Sequence, residues 1–210
     1  MIYLKKTRFN IFSLTDQALD EFIESVHTNF EERMKVQLKY AGVVIDSYDI
    51  TKENDFKKDL QYVWEIARGN KDYISHTEDR AAFLRKKDKV YSIEKEYLDM
   101  LNYGNIIPTV IEDAYAARYK WGTIVEFAIH VAKARIEMML GEMINVSDAT
   151  ILGGYKSRGS VMFWIRNGDL RFVKRELRDQ IDIDGEQFMN ILLNKRRLYW
   201  HTLKEIPQED

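Results

Sequence analysis

Apolar residues return every four positions from Leu14 through Ala18, Phe22, Val26, Phe30 and Met34 to Leu38, with Leu19 and Ile23 widening the stripe. That stride keeps one face of an α-helix apolar, so the pattern predicts an amphipathic helix opening after Ser13 and ending near Gly42. Val43-Val44-Ile45 is too short to classify, and a polar connection follows. A second helix is expected from about 54 to 68 through Phe56, Leu60, Val63, Trp64 and Ala67, stopping at Gly69-Asn70. A third, over about 77–102, is carried by Ala81, Leu84, Tyr91, Tyr97, Leu98 and Leu101 and ends at Gly104. Pro108 suits the first turn of a fourth, with Glu112 and Asp113 near the positive end of its dipole. This helix reads as continuing to about Ile144, with Gly122 and Gly141 as internal weak points. Between Ile124 and Leu140 its circumference is almost wholly apolar, as expected of a helix that others surround.

The character changes after Asn145. Ala149 to Leu152, Val161 to Arg166 and Asp169 to Lys174 read as short strands, separated by the loop Gly153 to Gly159 and the turn Asn167-Gly168. Asn-Gly between alternating apolar residues is a strong short-range hairpin signal. A two-residue turn there would oppose Ile165 to Leu170 and Phe163 to Phe172, leaving Val161, Phe163, Ile165, Leu170 and Phe172 on one face. The competing reading makes Ser157 to Gly168 a recognition helix of helix-turn-helix type. Met162 and Phe163 would then stand where polar base-reading side chains belong, with no small Ala or Gly where the preceding helix must pack closely. The hairpin is therefore preferred. Gly185 to Leu203 returns to helical spacing through Phe188, Ile191, Leu192 and Leu198. The fold class expected is mainly α: a bundle of long helices over 1–144, then a small C-terminal β-hairpin element and a final helix (145–210) packed back on it, together forming one domain or two.

Composition changes this picture little. The 210 residues are 45% hydrophobic and 31% charged, with a net charge of −2, the balance of an ordinary globular chain that can bury about 70% of its unfolded surface. Ten Gly and two Pro are few breakers, which fits long helices. The absence of cysteine removes disulfides, thiolate metal sites and a Cys nucleophile. Met1-Ile2-Tyr3-Leu4 runs straight into Lys5, Lys6 and Arg8, and no stretch reaches the roughly 18 apolar residues of a membrane span, so the expectation is a cytoplasmic protein with no membrane partner. Charge is uneven: residues 1–149 carry a net −4 and residues 150–210 a net +2. Over 156–178 seven basic residues face only Asp169 and Glu176.

That local excess points to nucleic acid. Lys156, Arg158, Arg166, Arg171, Lys174 and Arg175 are the candidate phosphate contacts, with Tyr155 and Trp164 as candidate stacking platforms. The Gly153 to Gly159 loop resembles a phosphate cradle but lacks the Gly-Lys-Ser/Thr end of a P-loop, so it reads as a basic loop. Arg85-Lys86-Lys87-Asp88-Lys89 and Lys195-Arg196-Arg197 read as solvated helix faces. Glu126, His130, Lys133 and Glu137 line one face of the fourth helix, where a carboxylate and an imidazole one turn apart suit proton transfer or a metal; a solvated or structurally paired stripe is the plainer reading. His27, His76, His130 and His201 have no metal-ligand spacing, and no catalytic residue, metal or cofactor is assigned. The leading expectation is a non-catalytic nucleic-acid-associated or regulatory protein acting through the basic segment at about 153–178. A helical protein-interaction or assembly component, with a protein partner or as a homo-oligomer, comes second, and an enzyme or metal site on the Glu126/His130 face third.

Overall fold

The structure, a computed structural model, describes residues 9–42, 55–104, 123–175 and 180–199. The expectations for 43–45, the start of the fourth helix at Pro108, and the tail beyond 199 lie outside them.

Helix α4 (Ile124–Met139) opens where the Thr123 hydroxyl takes the Glu126 amide at 3.1 Å. The same hydroxyl meets that of Tyr97 at 2.9 Å, fixing the helix start to its neighbour. Being apolar all round, α4 buries Phe127, Ala128, Val131, Ala132, Ile136 and Met138 almost completely. On one side it packs against α2 (Asp55–Arg68) and α3 (Arg80–Gly104), with α1 (Asp16–Tyr40) reaching the core through Leu19, Phe22, Ile23 and Val26. Its other side meets β1 (Met143–Asn145), α5 (Val146–Leu152) and the last helix, α7 (Gly185–Asn194).

Two expectations for these helices are corrected. The fourth helix ends at Met139 rather than near Ile144, because Gly141 turns left-handed (φ 72°) and the Gly141 and Glu142 amides close the last turn on Met138 and Glu137. Residues 143–145 form strand β1 instead. In α3 the buried line is Phe83, Val90, Ile93 and Tyr97; of the apolar residues that carry the pattern in the sequence, Tyr97 is on it, whereas Leu84, Tyr91 and Leu98 remain 42%, 42% and 44% exposed.

The C-terminal part is built differently from the preferred hairpin reading. Residues 149–152 and 161–166, expected as strands, lie instead in the helices α5 and α6 (Gly159–Asn167). Asn167-Gly168 is a helix terminus, not a hairpin turn: Gly168 adopts φ 81°, and the Gly168 and Asp169 amides bond to Ile165 and Trp164. That 6→1 and 5→2 closure needs a left-handed residue as much as a tight hairpin turn does, so Asn-Gly fits both. The strand pair lies further on, as β2 (Phe172–Arg175) against β3 (Gln180–Asp184), with Phe172 opposite Ile183 and Arg175 opposite Gln180. β1 pairs with the other edge of β3, giving the order β1-β3-β2, all antiparallel. The fold is thus mainly α with a small antiparallel sheet.

Helix α7 stops at Asn194, short of the expected 203, where Arg196 turns left-handed (φ 57°). The chain then returns to the bundle. The Tyr199 hydroxyl accepts the His76 amide at 2.8 Å, and the Leu198 carbonyl accepts from buried Arg135 at 2.6 Å. Arg197 is buried rather than solvated and donates to the Gly153 carbonyl at 3.3 Å.

Candidate nucleic-acid interface

Helix α5 begins at Asn145, whose side chain accepts the Asp148 amide at 2.9 Å. Its inner residues Ala149 and Leu152 are fully buried. The turn after it is set by glycine. A Cβ on Gly153 would stand 2.0 Å from the Tyr155 ring, and the Gly154 and Tyr155 amides close α5 on Ile151 and Thr150. Six residues, 153–158, separate α5 from α6.

Helix α6 turns Val161 and Ile165 inward. Its outward positions are Ser160, Phe163, Arg166 and Asn167, spaced three or four apart and so on one face. Phe163 is 58% exposed at the centre of that face. No acidic residue occurs anywhere in α6. Leu170, buried, anchors the chain before β2, all four of whose residues are exposed.

Six of the predicted site residues come onto this unit. Lys156 and Arg158 lie exposed on the turn, Arg166 on α6, and Arg171, Lys174 and Arg175 at β2. Arg175 also pairs with Asp182 of β3 at 2.5 Å. Tyr155 and Trp164 are placed otherwise. Their rings meet edge-on with centroids 5.5 Å apart, and Trp164 lies 6.1 Å from Phe188 of α7. Arg197 stands 4.9 Å from the Tyr155 ring and Lys195 5.7 Å from that of Trp164. The Tyr155 hydroxyl is buried without a hydrogen-bond partner, and burial pushes its pKa up to about 12 against the opposing pull of Arg197. These two aromatics tie the turn and α6 to α7. Ser160 and Asn167 were not among the candidate site residues, and Phe163 was read from the sequence as an apolar residue unsuited to a base-reading face; helical periodicity over 159–167 is the signal that gathers them.

In the polar stripe of α4, His130 and Lys133 are paired. His130 Nε2 meets Asp148 Oδ1 at 2.8 Å, linking α4 to the first turn of α5. Lys133 reaches both Glu94 oxygens at 3.1 and 2.9 Å and lies 4.2 Å from the Tyr91 ring centroid. Burial raises the Glu137 pKa, partly offset by nearby Lys87. A small cleft of about 190 Å³ lies between Glu94, Tyr97, Glu126, His130 and Lys133. Among the described residues no group of three His, Asp or Glu side chains is arranged to hold a metal ion. The basic run of α3 is also partly committed, with Lys86 to Glu78, Lys87 to Glu142 and Lys89 to Asp59. No helix among the described residues is long and apolar enough to cross a membrane. No protein-family model, curated protein or solved structure matches this chain.

Proposed function

We propose that the protein binds double-stranded DNA, with α6 seated in the major groove and the β2–β3 pair as a wing against the backbone. The observation that carries this is the sequence of elements: a short helix, a turn, an acid-free second helix with its outer face exposed, then exposed Arg171 and an exposed strand bearing Lys174 and Arg175. An α-helix about 10–12 Å across fits a groove about 12 Å wide, and the nine residues of α6 give it about 13 Å of length. Ser160, Arg166 and Asn167 would present hydrogen-bonding groups to base edges, and Phe163 an apolar surface of the kind that meets a thymine methyl. Lys156, Arg158 and the β2 cations would supply phosphate neutralisation.

Fluorescence anisotropy with a labelled duplex over a salt series tests the reading. Wild type should bind with log K falling linearly in log salt, and replacing Lys156, Arg158 and Arg171 together by Ala should reduce the slope by about three units. All three side chains are exposed, so far-UV circular dichroism should not change. No binding at low salt would reject the proposal. The protein-interaction reading would then lead, since Phe163, Phe172 and Val173 are 58%, 50% and 57% exposed on the same unit.

A further inference from the structure

Helix α3 carries apolar doublets at a seven-residue interval: Phe83-Leu84, Val90-Tyr91 and Tyr97-Leu98. The first member of each is buried in the bundle, and the second is left more than two-fifths exposed. Seven residues are almost two full turns, so Leu84, Tyr91 and Leu98 form a line along the helix, with successive members about 10 Å apart. The line is flanked by charge on both sides. Asp88 and Lys95 lie exposed on one edge; Lys87 and Glu94 lie on the other, paired within the chain to Glu142 and Lys133.

We propose that this face of α3 is where two copies of the chain associate, running antiparallel with the two-fold axis at Tyr91. Leu84 and Leu98 are each seven residues from Tyr91, so the axis sets Leu84 of one copy against Leu98 of the other and Tyr91 against itself. Asp88 lies three residues before Tyr91 and Lys95 four after it, so Asp88 falls opposite the second copy's Lys95 within about 1.5 Å along the axis. On the other edge Lys87 faces Glu94 in the same way. An isologous contact must be self-complementary, and this line with its two charged borders meets that condition throughout. A parallel pair would set Asp88 against Lys87 and Lys95 against Glu94, whose charges are already engaged within each chain. The antiparallel pair instead joins the two uncommitted exposed charges, for Asp88 and Lys95 make no ion pair among the described residues. This surface is independent of whether the molecule binds DNA.

Sedimentation equilibrium of the full chain reads it directly. Wild type should populate a dimer of twice the 24.9 kDa chain mass, and Leu84→Glu should leave only monomer. Asp88→Lys and Lys95→Asp should each weaken association by about tenfold or more, because each sets like charges opposite at two symmetric places. The double variant, with both charges exchanged, should recover wild-type association in the antiparallel arrangement and stay weak in a parallel one. All these positions are exposed, so circular dichroism should report an intact fold. Wild type that remains monomeric to about 100 µM, a dimer indifferent to Leu84→Glu, or a double variant no tighter than the single ones would overturn the proposal.

Discussion

Arg135 and the Tyr155 hydroxyl are buried polar groups of opposite consequence. The Arg135 guanidinium is fully enclosed and donates to the Ala67 carbonyl from Nε and Nη2 and to the Leu198 carbonyl from Nη1. Ala67 is in the last turn of α2, so a cation there also meets the negative end of the helix dipole. Arg135→Ala would open a cavity and strand both carbonyls, and should cost about 3–5 kcal/mol in urea unfolding. Tyr155→Phe deletes a hydroxyl that has no partner, so at pH 7 the variant should be at least as stable as wild type. Alkali separates the two groups further. Tyr155 is held neutral to about pH 12 when folded, whereas the unfolded phenol ionises near 10, so its contribution is intact below pH 10 and is lost as pH rises toward 12. Buried Tyr97 acts with the same sign. Arg135 opposes them: burial lowers its pKa to about 10, so the unfolded chain keeps that proton longer and stability from this group rises above pH 10. Between pH 9 and 11.5, Tyr155→Phe should therefore lose less stability than wild type, and an equal loss would remove Tyr155 from the alkaline response.

The elements show where sequence patterning suffices and where two structures share one signature. The α1, α2 and α4 stripes were legible because burial on one face, or on all, leaves an unmistakable period. In α3 two adjacent stripes run in parallel, Phe83/Val90/Tyr97 and Leu84/Tyr91/Leu98, and periodicity alone does not say which faces inward. Residues 159–174 failed for another reason. Val161, Phe163 and Ile165 alternate as a strand would, yet Val161, Trp164 and Ile165 also lie on one side of a helix, and Gly168 can end a helix or turn a hairpin. The Asn145 cap and the Gly153-Tyr155 contact favour the helix, and they become decisive only when α5 and α6 are read together. The charge excess over 156–178 does not depend on which element carries it, whereas the inward packing of Tyr155 and Trp164 does. Lysine substitution separates the two readings. Phe163→Lys should shift stability by less than about 0.5 kcal/mol because the ring is exposed on α6, whereas Val161→Lys should cost several kcal/mol at its fully buried position. A hairpin with both residues on one buried face would suffer from both changes alike.

At the scale of the whole molecule α4 decides how the parts behave together. One side of it completes the bundle with α2 and α3, and the other floors β1, α5 and α7, so the two halves share one apolar element rather than a solvated boundary. The return of the chain adds further ties, through Leu198 to Arg135 and Tyr199 to His76, and His130 joins α4 to the first turn of α5. A unit so attached cannot unfold without exposing the buried surface of α4, which argues for one cooperative transition. Urea unfolding followed by far-UV circular dichroism, dominated by the long helices, should coincide with tryptophan fluorescence, to which Trp64 in the bundle and Trp164 beside α7 both contribute. Ile136→Ala, at a fully buried position of α4, should lower that single midpoint by an amount worth about 2–5 kcal/mol without splitting it. Separate fluorescence and dichroism midpoints would mean instead that the α5–α7 unit folds on its own footing. The pairing of α4 with both halves would then be a docking contact between domains.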